Sequence, residues 1–78
     1  MEYTTLDRLL EGESLCVTEI SAEGIDRRRL NDLGITKGTS ISNIFSPPWC
    51  EPTAYTFKGT IIALRKETAQ KIYGFKIP

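Results

Sequence analysis

The stretch TAYTFKGTIIALR, residues 53–65, decides the fold because it contains two strands and the turn between them. Tyr55 and Phe57 alternate with polar residues, which is typical of a strand with one buried face. Lys58-Gly59 supplies a two-residue turn. From Thr60 to Arg65 the chain returns as a strand that is apolar on both faces. The stretch therefore predicts a β-hairpin.

Three other segments, 14–20, 39–45 and 72–77, show the same alternation of apolar and polar residues. In the second of them, Ile41 and Phe45 fall on one face of the predicted strand, and Ile44 falls on the other. Together with the hairpin, these segments predict about five short strands.

One α-helix is predicted from Ile25 to Leu33, with Ile25, Leu30 and Leu33 on one apolar stripe. Gly34 is placed as the left-handed residue that ends this helix. Near the N-terminus, Thr4 and Thr5 are expected to cap a short helical turn. The apolar residues of that turn are Leu6, Leu9 and Leu10.

Short antiparallel strands in a small domain avoid exposed edges by closing into a barrel. The sequence therefore predicts a mainly β fold, a small and partly open SH3-like or OB-like barrel of about five strands with one short α-helix and the N-terminal helical turn. With 78 residues, the whole chain, 1–78, is expected to form a single domain. A small core also gains from self-association, so a homodimer is a further expectation.

Composition narrows the range of partners. The chain has 10 Lys plus Arg and 10 Asp plus Glu, so its formal net charge is zero and no overall field attracts nucleic acid. Apolar runs such as Ile61 to Leu64 are far shorter than the roughly 20 residues that a membrane span requires. The first residues carry neither the basic start nor the apolar stretch that a secretory signal contains. We therefore expect a cytoplasmic protein that neither crosses a membrane nor binds nucleic acid.

Histidine is absent, which removes the usual general base near neutral pH and the commonest nitrogen ligand for metals. The sequence therefore predicts a protein that is not an enzyme. Cys16 and Cys50 are expected to be free thiols in a reducing compartment. They are weak candidates for metal ligands, because no Cys-x-x-Cys motif or carboxylate cluster accompanies them.

The run Arg27-Arg28-Arg29 allows two interpretations. On a helix, consecutive side chains are about 100° apart, so the three arginines point in different directions. They can form ion pairs within the helix, or one or two of them can face a carboxylate or phosphate on another protein. The candidate intrahelical pairs are Arg28 with Asp32, Arg29 with Asp32, and Glu23 with Arg27.

Trp49 stands in the segment Ser46-Pro47-Pro48-Trp49-Cys50-Glu51-Pro52, whose three prolines predict an exposed loop or edge. A large apolar ring in such a loop either folds back on the core or meets a partner, and the sequence leaves both readings open. Glu51 and Cys50 are placed to orient a contact beside it.

Taken together, two blocks of sequence resemble the FeoA family, ferrous iron transport protein A. The first half carries Thr5-Leu6, Glu11-Gly12-Glu13, Ile20, Gly24, Arg27-Arg28-Arg29-Leu30-Asn31-Asp32-Leu33-Gly34-Ile35 and Lys37-Gly38-Thr39. The second half carries Ser46-Pro47, Pro52, Ala54-Tyr55, Gly59 and Ile62-Ala63-Leu64-Arg65 with Glu67 and Ala69. One segment departs from the family, because Trp49-Cys50-Glu51 stands where a small, acidic Gly-Asp is usual.

This resemblance implies an SH3-like barrel that acts as an accessory to bacterial ferrous iron transport. The implied partner is the cytoplasmic part of the transporter FeoB, which includes a GTP-binding domain and would recruit the protein to the inner face of the membrane. The expected contact residues are Arg27, Arg28, Arg29, Trp49, Glu51 and Tyr55. Two alternatives remain: a module that binds or senses a transition metal, ferrous iron being the implied ion, and an SH3-like module that binds peptides.

Overall fold

The computed structural model describes residues 2–49 and 51–78. The strands form one antiparallel sheet in the order β1-β6-β2-β3-β4-β5. The strands are β1 (Tyr3–Thr5), β2 (Ser14–Ile20), β3 (Ser40–Phe45), β4 (Thr53–Phe57), β5 (Thr60–Leu64) and β6 (Ile72–Ile77). A 3-10 helix (Leu6–Arg8) and two α-helices, α1 (Gly24–Leu33) and α2 (Lys66–Ala69), join them.

The core lies on one face of this sheet. The strands contribute alternate side chains, because successive residues of a strand point to opposite faces. The buried apolar side chains from strands are Leu15, Val17, Ile41, Tyr55, Phe57, Leu64 and Ile72. The segments between the strands cover them with Leu6, Leu9, Ala22, Leu30, Ile35 and Ala69.

The predicted hairpin is confirmed. Strands β4 and β5 pair without interruption, and Phe57 lies opposite Thr60 across the turn. Lys58 and Gly59 both have positive φ angles, 50° and 79°, as a type I′ turn requires. This turn matches the twist of the two strands and fixes their register.

The mainly β fold class is confirmed, but the number of strands differs. The sheet has six strands instead of about five, because Tyr3–Thr5 pairs with β6. Three residues are too few to show a period, so the sequence did not reveal this strand. Within the described residues, β1 and β5 are not paired with each other, so the sheet is not closed into a complete barrel.

Two predicted faces were wrong. In α1, Leu30 is buried, whereas Ile25 and Leu33 are 75% and 39% exposed.

In β3, Phe45 is 51% exposed, because the register with β4 shifts between Asn43 and Phe45. Such a shift reverses the faces of the residues that follow it. Asn43 precedes the shift and shares the buried face of Ile41, and its amide donates hydrogen bonds to Leu9 O and Ser46 Oγ.

In the part of the chain that the structure describes, no helix is both long and apolar enough to cross a membrane.

Candidate functional site

Helix α1 is attached to the rest of the molecule on one side. Leu30 is its buried residue. Gly34 ends the helix with a φ of 95° and begins the turn that follows the helix. In this left-handed conformation the Gly34 amide donates to Asn31 O, and the Ile35 amide donates to Leu30 O. The predicted end of the helix is thus confirmed, and the opposite side of α1 faces outward.

The outward side carries five residues spaced three or four apart, and we call it the α1 face. Its members are Ile25, Arg28, Arg29, Asp32 and Leu33, which together line a shallow depression of about 300 Å³. Residues at this spacing lie next to one another on a helix. The face therefore combines two exposed aliphatic side chains with two guanidinium groups and one carboxylate, that of Asp32.

The three arginines do not share one role. The Arg27 Nη1 donates a hydrogen bond of 3.0 Å to Ile20 O, which ties α1 to the end of β2. Among the described residues, both ion pairs involve Lys76, with Glu2 at 3.6 Å and Glu13 at 3.0 Å. The predicted ion pairs within α1 are therefore not formed, and Arg28 and Arg29 are exposed without an acidic partner.

Trp49 lies at the surface, with 71% of its area exposed. Of the two readings that the sequence left open, the structure rejects the one in which the ring folds back on the core. The loop is held at its ends instead. The Ser46 amide donates to Glu11 Oε2 at 2.8 Å, and the Lys66 amide at the start of α2 donates to Glu51 Oε1 at 3.1 Å. Glu51 thus has a structural contact of its own.

Tyr55 was predicted to contact a partner, but the structure places it in the core. It is only 2% exposed, and its hydroxyl donates a long bond of 3.4 Å to Leu6 O. Burial raises the pKa of the Tyr55 hydroxyl to about 12, because the charged phenolate is poorly solvated there. The ring therefore has almost no surface to offer a partner.

Among the described residues, no metal site forms around Cys16. Cys16 is a half-buried free thiol in β2, opposite Ser40 of β3 and Phe75 of β6. Cys50 lies outside the described residues. Within 2–49 and 51–78, no three Cys, Asp or Glu side chains are grouped as a metal site requires. Binding of ferrous iron stays a prediction.

The site that emerges differs from the predicted set. The depression on α1 includes Arg28 and Arg29, but Arg27, Trp49, Glu51 and Tyr55 do not line it. Two residues of the α1 face, Ile25 and Leu33, were predicted from the sequence to lie in the core. Their spacing with Arg28, Arg29 and Asp32 was a usable signal, since all five share one helical face.

These features define a small, mainly β protein with a mixed apolar and basic helix face. The FeoA domain model matches residues 4–74, so the chain belongs to the FeoA family. The resemblance inferred from the sequence is thereby confirmed. No curated protein sequence matches the chain.

Solved structures agree with this assignment. A FeoA-like protein from Clostridium acetobutylicum is 27% identical with a TM-score of 0.88, over 100% of this chain and 91% of that one. FeoA from Stenotrophomonas maltophilia, described as an SH3 domain protein in complex with zinc, is 29% identical with a TM-score of 0.73, over 88% and 86% of the chains. The SH3-like fold class is therefore confirmed.

A manganese-dependent transcriptional repressor has the same fold in part of its length. Its TM-score is 0.88 at 17% identity, over 99% of this chain and 42% of that one. This similarity concerns the fold alone.

Proposed function

We propose that this chain is a non-catalytic, cytoplasmic accessory protein of bacterial ferrous iron transport that docks on the cytoplasmic part of FeoB and modulates the transporter. Membership of the FeoA family supports the pathway. The observation that carries the docking proposal is the α1 face, where Ile25 is 75% exposed beside two guanidinium groups without acidic partners.

The chemistry of the α1 face suits a protein surface. Interfaces between proteins combine apolar area at the centre with a polar rim, and arginine is enriched in them. Arg28 and Arg29 can each form paired hydrogen bonds with a carboxylate, which a lysine cannot reproduce. Ile25 and Leu33 lose water on contact and supply the apolar area.

Trp49 offers a second area of contact. Its ring is large and exposed, and tryptophan is enriched among the residues that contribute most to binding. The internal hydrogen bond of Glu51 to α2 holds the following part of the loop, so in this proposal Glu51 positions the loop. Trp49 itself touches the partner.

The test is a binding titration of the purified protein against the soluble cytoplasmic domain of FeoB, with and without a GTP analogue and ferrous iron. We expect saturable binding that Arg28→Glu combined with Arg29→Glu weakens at least tenfold, about 1.4 kcal/mol or more. Arg8→Glu is the control, because Arg8 is also exposed but lies at the end of the 3-10 helix. It should leave the affinity within about twofold, because it is outside the α1 face.

Two outcomes contradict the proposal. Absence of binding in every nucleotide and metal state removes docking on this domain. Equal losses with the double variant and with Arg8→Glu would show that charge in general, and not the α1 face, determines binding.

A further inference from the structure

Strand β5 is the last strand of the sheet, and its outer edge is open. In the described part of the chain it pairs with β4 alone. Across the two-residue turn, Phe57 and Thr60 form the first hydrogen-bonded pair of the hairpin. Hydrogen-bonded and non-bonded pairs alternate along antiparallel strands. The main-chain N–H and C=O groups of Ile61 and Ala63 therefore point away from β4.

This edge lacks the features that normally prevent a strand from pairing with another chain. Thr60–Leu64 contains no charged residue and no proline, and its register with β4 has no bulge. Ile61 is 68% exposed. The opposite edge, β1, is protected by its length of only three residues. The two edges of the sheet thus differ in their capacity to accept a strand.

A cleft of about 320 Å³ runs between the open edge and α1, and we call it the β5 cleft. Its apolar lining comes from Leu30, Leu33, Ala63 and Leu64, while Arg29 and Arg65 stand among its charged residues. Asp26 and Glu67 add charges of the opposite sign. Its volume is at the lower end of the range for ligand pockets, about 300–1,000 Å³.

The β5 cleft is continuous with the α1 face, since Arg29 and Leu33 belong to both. A partner that covers the α1 face therefore reaches the open edge without a gap. We infer that an extended segment of the transporter's cytoplasmic part is added to the sheet as a strand beside β5. This inference rests on the proposed function and specifies how the partner binds.

The structure constrains the chemistry of that segment. Its main chain would form hydrogen bonds with Ile61 and Ala63, as in other cases of strand addition. Alternate side chains would enter the β5 cleft, so they must be apolar and of modest size. The mixed charges around the cleft suit flanking residues of both signs. An isolated extended segment fits this place better than a second copy of the chain, because the second copy would bring its own α1 to the same edge.

Hydrogen exchange in the complex tests the inference directly. With the soluble domain of FeoB at saturation, the amides of Ile61 and Ala63 should exchange at least tenfold more slowly than in the free protein. The amides of β1, at the opposite edge, are the internal control and should not change.

A pair of variants at one position distinguishes the contribution of the main-chain N–H to binding from that of the side chain. Ala63→Pro removes the outward N–H, which an edge strand tolerates when that group faces solvent, and should weaken binding at least tenfold. Ala63→Thr keeps the N–H, so it should lose less affinity than Ala63→Pro although both variants change the side chain that lines the β5 cleft. Thermal unfolding of both variants verifies that they fold, and Ile61→Lys, at an exposed side chain, gives a second disruption of the edge.

The outcomes distinguish this inference from the proposed function. Saturable binding with unprotected Ile61 and Ala63 amides would overturn strand addition and leave docking intact. Absence of binding would remove both. Protection of the same amides in the protein alone, rising with its concentration, would assign the edge to a second copy and overturn the inference.

Discussion

Arg27, Arg28 and Arg29 show how neighbouring residues of one type acquire different roles. The Arg27 guanidinium forms an intramolecular hydrogen bond to the main chain at the end of β2. Arg28 and Arg29 line the outward depression on α1. The difference follows from the rotation of about 100° per residue along a helix. The same charge thus stabilises the fold at one position and remains available for a partner at the next two.

Tyr55 provides a test at the same scale. Burial raises its pKa to about 12 from the ordinary value of 10.0, so the folded state retains the proton that the unfolded state releases. Stability linked to Tyr55 is complete below pH 10 and is lost as the pH rises toward about 12. We therefore expect the free energy of unfolding, measured with urea, to fall less for Tyr55→Phe than for the original protein as the pH rises across this interval.

At pH 7 the same Tyr55→Phe variant should differ by less than about 1 kcal/mol, because the hydroxyl bond to Leu6 is long. Tyr3→Phe is the control for removal of a tyrosine hydroxyl, since Tyr3 is 49% exposed. An identical loss of stability in Tyr55→Phe and in the original protein would show that the buried hydroxyl is not responsible.

Among the elements, α1 is attached through one buried side chain, its glycine end and the Arg27 hydrogen bond to β2. Its charged and aliphatic outward residues contribute little to folding, because they remain largely in water. Strand β5 likewise has a buried side and an exposed side, since Leu64 is buried and Ile61 is exposed. Both elements therefore offer a surface that is not required by the core, and these two surfaces meet at the β5 cleft.

The attachment of α1 can be tested by truncating two of its side chains. Leu30→Ala should lower the free energy of unfolding by about 2–5 kcal/mol, because it leaves a cavity in the core. Ile25→Ala should change it by less than about 0.5 kcal/mol, because Ile25 is exposed. Urea unfolding followed by circular dichroism measures both. Similar losses in the two variants would mean that the apolar stripe first predicted for α1 is buried after all.

At the scale of the whole molecule, charge is balanced and the sheet is open. Equal numbers of acidic and basic residues give no overall attraction for a polyanion. Recognition therefore depends on local surfaces, of which the α1 face and the edge of β5 are the clearest in the described chain. The edge of β5 is available because the first and last strands of the sheet do not pair with each other in the described chain.

The balance of charge predicts weak contact with nucleic acid. Binding without sequence preference comes from many lysine and arginine contacts to phosphates, and here the net charge is zero. Fluorescence anisotropy with labelled single-stranded and duplex DNA should show no saturation at about 100 µM protein in physiological salt, the weak limit of such binding. Saturation at micromolar protein, weakened by added salt, would contradict the prediction.

Local patterns in the sequence determined the β4–β5 hairpin and the end of α1 at Gly34. These features depend on residues close together in the chain, such as the positive φ angles of Lys58 and Gly59. The family was also evident, because its residues recur in order along most of the chain. The mainly β class followed from the repeated period of two.

Contacts between distant residues decided the rest. Strand β1 exists because β6 pairs with it, and Phe45 faces outward because the register with β4 shifts. Tyr55 is buried because Leu6 and its neighbours cover that face of β4, whereas Ile25 lies on the side of α1 that nothing covers. The period of a helix or strand shows which residues share a face, but only packing against other elements decides which face is removed from water.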